Sequence, residues 1–246
     1  MEIGLIGSGN MARALAVGWG EPVVCTDAGS GRAAALAAEL GGTAVAGPAE
    51  VAERADVVVL AHKPYQLAAV AAEAQAARLV VSVLGGVSLA DLRAAYPQAQ
   101  VAAVTPNTAS AVRRGVTLLA EGSDAAAEVT ALFERVGTVV VLPESQLDAG
   151  SGIAAVGPAY VALVAEAWTD AGVRAGLKPA VAGRLVADTL AGTAALLAAS
   201  GDDTLAVRRA VASPGGTTAR GLRALDAAGV RAAFHDAMDA TRELSR

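Results

Sequence analysis

The sequence predicts an α/β fold, in which an N-terminal Rossmann-type doubly wound sheet is followed by an all-α C-terminal domain. Short apolar runs alternate with helix-like segments over the first half of the chain, and only helical patterns follow residue 147. A glycine-rich turn joins the first apolar run to the first helical segment. Uniformly apolar strands that alternate with helices are typical of a parallel sheet covered on both faces. We therefore expect one domain over residues 1–147 and a helical domain over residues 148–246.

Eight short apolar runs predict the strands of the sheet. They cover residues 4–7, 22–27, 43–46, 55–64, 79–86, 100–108, 116–122 and 138–142. Near the N-terminus, residues 10–20 have helical spacing, and the Ala-rich residues 31–41 end in Gly41, which is expected to cap a helix. Five helical segments make up the C-terminal domain, at residues 157–176, 178–200, 205–213, 217–229 and 230–244.

The composition argues against several classes of protein. The formal net charge is -5 and no long block of Lys or Arg occurs, which argues against a nucleic-acid or anionic-membrane partner. The single cysteine, Cys25, cannot form an intrachain disulfide and fits a reducing compartment. The N-terminus lacks the pattern of a signal peptide, and no uninterrupted apolar run approaches the roughly 20 residues of a membrane span. We expect a soluble cytoplasmic protein without a metal site.

The segment GSGNMA at residues 7–12 has the G-x-G-x-x-G/A spacing of a dinucleotide-binding turn. It lies between the first predicted strand and the first predicted helix, where the glycines permit a tight turn and a close approach of the backbone to a pyrophosphate. The N–H groups at the helix start then face the anion. A glycine-rich turn without a ligand is the alternative. The predicted cofactor contacts in this segment are Gly7, Ser8, Gly9, Asn10 and Met11.

The end of the second predicted strand supports two predictions about the cofactor. Asp27 follows the glycine turn by about 20 residues. At this spacing in the sequence, a carboxylate accepts hydrogen bonds from the ribose 2′-hydroxyl of NADH and repels the 2′-phosphate of NADPH. Residues 29–32 contain Ser30 and Arg32 and could instead hold that phosphate with backbone N–H groups, a hydroxyl and a guanidinium. Asp27 could also be an ordinary turn residue. NADPH and NADH therefore both stay open as cofactors.

Five segments, taken in order, resemble pyrroline-5-carboxylate reductases over nearly the whole chain. They are GSGNMARAL at 7–15, LAHKP at 60–64, TPNT at 105–108, GPAYV with EAWTDAGVRAGL at 157–177, and ASPGGTTARGLRAL at 212–225. The last of them is the most specific. The resemblance implies that NADPH or NADH reduces a cyclic imino acid to L-proline. It also implies a helical domain that interlocks with its twin in a homodimer or a larger homo-oligomer.

The same resemblance implies roles for the residues of the last segment. Backbone amides of the SPGGTT loop would hold the substrate carboxylate, and the hydroxyl of Thr218 would contact the ring nitrogen as the catalytic group. Ordinary helix capping by Thr217, with the glycines forming a turn, is the alternative. The predicted substrate contacts are Ser213, Gly215, Gly216, Thr217 and Thr218.

Two further segments are implied to lie near the nicotinamide. Lys63 and Pro64 end the fourth predicted strand, at the sheet edge where doubly wound folds bind ligands. A solvated lysine before a proline is the alternative. Asn107 and Thr108 end the sixth predicted strand, where a helix cap would have the same local sequence.

Several positions depart from the pattern usual in the family. Ala28 stands where an arginine is usual, which argues against NADPH, and Val156 stands where a serine is usual before GPAY. Ala103, Thr105 and Ala109 also differ around the TPNT segment. These changes keep two alternatives open: an imine reductase or related reductase with another substrate, and an NAD(P)-binding sensor without catalysis.

Overall fold

The computed structural model describes residues 1–243 and contains an eight-stranded sheet. Its strand order is β3-β2-β1-β4-β5-β6-β7-β8, so the predicted doubly wound sheet is confirmed. The strands are β1 (Ile3–Ile6), β2 (Val23–Thr26), β3 (Thr43–Ala44), β4 (Val57–Leu60), β5 (Leu79–Ser82), β6 (Gln100–Thr105), β7 (Gly115–Ala120) and β8 (Gly137–Leu142).

The first six strands are parallel, and β7 runs antiparallel to β6 before β8 again runs parallel to β7. β1 lies between β2 and β4, with Ile3 paired to both Val23 and Val57. The connection from β6 to β7 contains only a short 3-10 turn, Thr108–Val112. A parallel connection needs a longer crossover, which explains the reversal of β7. Because β1 lies parallel to both β2 and β4, the carboxyl ends of these three strands meet at one edge of the sheet.

Seven helices accompany the sheet and bury both of its faces. They are α1 (Asn10–Trp19), α2 (Arg32–Leu40), α3 (Pro48–Arg54), α4 (Leu67–Glu73), α5 (Leu89–Ala95), α6 (Ala126–Glu134) and α7 (Leu147–Ala154). Alternate residues of β4 enter different clusters, with Val57 and Val59 on one face and Val58 and Leu60 on the other. This alternation follows from the two-residue repeat of a strand and explains the uniformly apolar runs.

α1 packs against α6 through its last residue, Trp19. The Trp19 ring meets Phe133 of α6 edge to face, with centroids 5.8 Å apart, and its indole N–H donates to the carbonyl of Leu132 at 3.1 Å. The predicted glycine cap of α2 is also confirmed, because Gly41 has a φ of 70° in the left-handed region.

The chain divides into two compact units between Pro158 and Ala159. α7 lies beyond the predicted boundary at residues 147/148, and it packs on the sheet: a Cβ on Gly150 would lie 2.7 Å from Leu118 of β7. The second unit contains the described helices α8 (Gly157–Arg174), α9 (Pro179–Ala199), α10 (Thr204–Val211), α11 (Thr217–Ala227) and α12 (Val230–Glu243), with α8 beginning just before the division. The predicted helical region thus contains helices throughout its described part.

The helices of the second unit leave large apolar side chains exposed. Trp168 and Phe234 are about half exposed, and Leu163 is 64% exposed. Trp168 lines an apolar groove together with Leu177 and Leu185, and an exposed apolar groove of this kind marks an interaction site in a globular protein. By length and composition alone, residues 144–174 and 179–199 could each cross a membrane. Neither run is uninterrupted, because Glu166 lies in the first and Asp188 in the second.

Candidate active site

An open cleft of about 410 Å³ lies at the carboxyl edge of the sheet, where β1, β2 and β4 end. Ligands bind at this edge in doubly wound folds, because loops and helix N-termini converge there. Seven of the predicted cofactor contacts line the cleft together: Gly7, Ser8, Gly9, Asp27, Ser30, Arg32 and Lys63. Asn10, Met11, Pro64, Asn107 and Thr108 are not among the residues that line it.

Gly7 makes the tight turn between β1 and α1. Its φ is +102°, and its N–H donates to the carbonyl of Thr26 at 3.0 Å. A Cβ at this position would lie 2.6 Å from the carbonyl carbon of Ala61. Gly7 therefore lets the chain turn directly beneath the end of β4. The buried Ser8 continues this turn, and its hydroxyl also donates to Thr26, at 3.2 Å.

Gly9 is the N-cap of α1, and no side chain accepts a hydrogen bond from the start of this helix. Its φ is −77°, and an added Cβ would find no protein atom within 4 Å. The first N–H groups of a helix need an external partner and carry the positive end of its dipole. The start of α1 therefore combines free donors with open space. This is the arrangement that binds a dinucleotide pyrophosphate, so these residues fit such a cofactor.

Asp27 organises the loop that follows β2. Its Oδ1 accepts from the N–H groups of Gly29 at 2.8 Å and Ser30 at 3.0 Å, and its Oδ2 accepts from the Ser30 hydroxyl at 2.8 Å and the Ala33 N–H at 2.9 Å. The Ala33 backbone bond, followed by the Ser30 hydroxyl, lowers the pKa of Asp27 to about 2. Asp27 is therefore the residue that shapes the loop after β2, and at neutral pH it also places a negative charge in the cleft.

This pKa predicts how stability depends on pH. A carboxyl group whose pKa is lower in the folded state stabilises the fold above its unfolded pKa of about 3.9, and this contribution is lost as the pH falls through the folded value. We expect Asp27→Asn to lower the thermal midpoint at pH 7 and to lose less stability than the parent between pH 4 and pH 2. Thermal melts across this range measure the difference. Parallel losses in the two proteins would contradict the prediction.

The end of β4 places Lys63 and His62 on the cleft. The Lys63 N–H donates to the side-chain oxygen of Gln66 at 3.1 Å, while its side chain is exposed. His62 Nδ1 lies 2.9 Å from the Lys63 carbonyl, which makes Nδ1 the donor. Burial lowers the pKa of His62, so the ring is neutral near pH 7. Pro64 turns away and lines a different groove beside the exposed Tyr65.

The remaining predicted cofactor residues have other contacts. Asn10 is exposed at the start of α1, and Met11 packs against the core. Asn107 is buried, and its amide N–H donates to the carbonyl of Ala154 at 2.9 Å while its side-chain oxygen accepts from the Val116 N–H at 3.2 Å. Asn107 therefore ties the end of α7 to the start of β7, and Thr108 begins the 3-10 turn after it.

The SPGGTT loop lies on the second unit, between α10 and α11. α11 begins at Thr217 with Gly216 as its N-cap, and no side chain accepts from the first turn. The N-cap is therefore Gly216 and not Thr217, which the capping alternative had placed there. Gly215 has a φ of +68°, and the Gly216 N–H donates to the Ser213 carbonyl at 3.1 Å. This bend precedes a helix start with free donors, which suits a carboxylate.

Some cleft residues were not predicted from the sequence. They are His62, the turn Ala46–Pro48 after β3, and the face of α4 that carries Val70 and Glu73. The strand order supplies the signal that was missing, because it places the end of β3 and the helix after β4 on the same side as the glycine turn. Among residues 1–243, no group of three or more His, Cys, Asp or Glu side chains could hold a metal ion.

The fold and the cleft together define a dinucleotide-binding protein. Residues 144–246 match the family model described as pyrroline-5-carboxylate reductase dimerisation, and residues 2–86 match the model described as NADP oxidoreductase, coenzyme F420-dependent. A pyrroline-5-carboxylate reductase from Synechocystis is 38% identical over 80% of this chain and 76% of the relative. One from Methanosarcina acetivorans is 33% identical over 100% of this chain and 97% of the relative.

A solved structure extends the similarity to three dimensions. The Plasmodium falciparum pyrroline carboxylate reductase with NADP bound superposes with a TM-score of 0.87 at 25% identity, over 100% of this chain and 97% of the other. The chain belongs to the pyrroline-5-carboxylate reductase family, as the sequence predicted. The match to a dimerisation domain supports a homo-oligomer.

Proposed function

We propose that the chain reduces 1-pyrroline-5-carboxylate to L-proline with NADPH or NADH. The observation that carries the proposal is the pair of free helix N-termini, at α1 beneath the dinucleotide cleft and at α11 behind the SPGGTT bend. The first suits a pyrophosphate and the second a carboxylate. A relative that matches the whole chain is named as a reductase of this substrate.

In the proposed reaction Gly7, Gly9 and Asp27 would hold the dinucleotide, which would supply the hydride that reduces the carbon of the substrate C=N bond. The chain contributes positioning more than acid–base chemistry, since holding two reactants in line lowers the barrier without a proton transfer. The backbone amides at Gly215 and Thr217 hold the carboxylate, and the Thr218 hydroxyl orients the ring nitrogen. Either solvent protonates that nitrogen, or the imine is already protonated when it binds.

A homodimer in the cytoplasm is the proposed form of the enzyme. Its support is the exposed apolar surface of the second unit, where Leu163 and Trp168 of α8 lie in the region that matches a dimerisation domain. A second copy would cover these side chains, and no membrane is needed for that. Sedimentation equilibrium without detergent tests this form, for which we expect twice the chain mass. A monomer, or a chain that needs detergent to stay in solution, would contradict it.

The test of the function is turnover of the purified chain with 1-pyrroline-5-carboxylate, run in parallel with NADH and NADPH and followed by nucleotide absorbance. We expect nucleotide oxidation that depends on this substrate. Turnover of other cyclic imines without turnover of 1-pyrroline-5-carboxylate would support the related reductase. Dinucleotide binding without turnover of any imine or hydroxy acid would support the sensor.

Thr218 provides a second test of the site. Removing its hydroxyl in Thr218→Ala is expected to lower kcat about 10- to 100-fold, the effect of one positioned hydrogen bond on the reacting group. The dissociation constant of the dinucleotide should not change, because Thr218 belongs to the substrate site in the proposal. Thr218→Ser retains the hydroxyl and should keep most of the turnover. Equal kcat in the parent and the alanine variant would remove Thr218 from the proposed mechanism.

A further inference from the structure

We propose that Asp27 determines the cofactor preference of this chain and makes it an NADH-preferring reductase. The inference rests on the proposed function, since it concerns the dinucleotide that the cleft takes up. NADPH differs from NADH only by a phosphate on the 2′-hydroxyl of the adenosine ribose. The end of β2 is where doubly wound folds recognise that hydroxyl, and Asp27 follows β2 directly and lines the cleft.

Asp27 engages three donors of this loop that a 2′-phosphate would otherwise use beside the Arg32 guanidinium. They are the N–H groups of Gly29 and Ser30 and the Ser30 hydroxyl. All three donate to the Asp27 carboxylate, at 2.8, 3.0 and 2.8 Å. The Ala33 N–H at the start of α2 makes a fourth bond to the same group, at 2.9 Å. The loop is therefore folded around an anion that belongs to the chain, and the backbone N–H groups of Gly29 and Ser30 are not available to a second anion.

The charges of the cleft lead to the same conclusion. Asp27 and Glu73 supply two negative charges, and Arg32 and Lys63 supply two positive charges, so the described lining has no positive excess. A 2′-phosphate beside Asp27 would add up to two further negative charges with one arginine nearby. The neighbouring Ala28 is exposed on the cleft and supplies no charge. Like charges at short range near a protein surface repel each other.

A ribose 2′-hydroxyl meets neither obstacle. It is neutral, and it can donate to a carboxylate oxygen. Three of the four donors to Asp27 are backbone N–H groups, whose positions are set by the loop. The fourth is the Ser30 hydroxyl, which can rotate away and leave its place on Oδ2 to the ribose. Asp27 can thus accept NADH without a rearrangement of the backbone.

Equilibrium binding to the full chain without substrate tests the inference independently of catalysis. The probes are adenosine 5′-monophosphate and adenosine 2′,5′-bisphosphate, which differ only by the 2′-phosphate, followed by NADH and NADPH. We expect the nucleotide without the 2′-phosphate to bind at least tenfold more tightly in each pair, about 1.4 kcal/mol. Equal or tighter binding of the 2′-phosphorylated nucleotide would overturn the inference, and so would binding of neither.

Two variants separate the charge of Asp27 from its role in the loop. Asp27→Asn removes the charge and should raise NADPH affinity relative to NADH at least tenfold. Ala28→Arg leaves every bond of Asp27 in place and adds a guanidinium, so it should shift the ratio in the same direction even if Asp27→Asn folds poorly. Ala28→Gln is the uncharged control and should leave the ratio unchanged. A ratio that Ala28→Arg does not move would contradict the proposal.

The outcome is distinguishable from a failure of the proposed function. If the chain binds NADH more tightly than NADPH but does not reduce 1-pyrroline-5-carboxylate, the inference holds and the proposed function is wrong. If the chain reduces this substrate and prefers NADPH, the proposed function holds and the inference is wrong.

Discussion

Replacing Gly7 by alanine is expected to destabilise the fold by about 3 kcal/mol or more and to abolish dinucleotide binding. The φ of +102° is strained for any residue with a side chain, and the new methyl group would lie 2.6 Å from backbone atoms of Ala61. Gly7 follows β1 and Ala61 follows β4, and these two strands are neighbours in the middle of the sheet. Neither residue can therefore move away without breaking the β1–β4 pairing. Thermal unfolding and a fluorescence titration with NADH measure the two effects.

Gly9→Ala is the matched variant for this prediction. Gly9 has an ordinary φ of −77° and no protein atom within 4 Å of an added Cβ, so its stability should stay within about 0.5 kcal/mol of the parent. The methyl group would still fill the space left open above the start of α1. We expect at least tenfold weaker NADH binding without loss of stability. Unchanged affinity in Gly9→Ala would mean that the pyrophosphate does not lie at this turn.

Gly18→Ala should lower the free energy of unfolding by about 2 to 3 kcal/mol. Alanine in a helix is intrinsically better than glycine by about 1 kcal/mol, so helix propensity alone predicts the opposite sign. The contact decides the outcome. An added Cβ would collide with the carbonyl oxygen of the buried Ser110 and lie 2.9 Å from Val136. α1 would have to move away from the turn that follows β6.

The control for Gly18→Ala is Arg13→Ala on the exposed side of the same helix. Arg13 forms a surface ion pair with Glu39 at 2.6 Å, and exposed pairs contribute at most about 1 kcal/mol. Urea unfolding of both variants provides the comparison. A Gly18→Ala protein as stable as the Arg13→Ala protein would show that α1 packs less closely than the structure describes.

The local pattern of residues was enough for the eight strands, the five C-terminal helices and the glycine turn, since each depends on neighbours in the chain. Two-residue and helical repeats reflect which faces are buried, and burial of β4 on both faces explains its run of valines. Gly41 ends α2 for an equally local reason. The family resemblance supplied the proposed role of the SPGGTT loop as a substrate site, which the local sequence of a capping motif alone does not suggest.

Contacts between distant parts of the chain required the fold. Asn107 meets Ala154 because the topology brings these two distant residues together, and the periodicity of the sequence does not contain this contact. The direction of β7 and the docking of α7 on it likewise follow from the short turn after β6. The amino-acid order thus specified the elements and the class of cofactor. Three-dimensional packing specified which donors remain free, because a hydrogen bond depends on distance and direction in space.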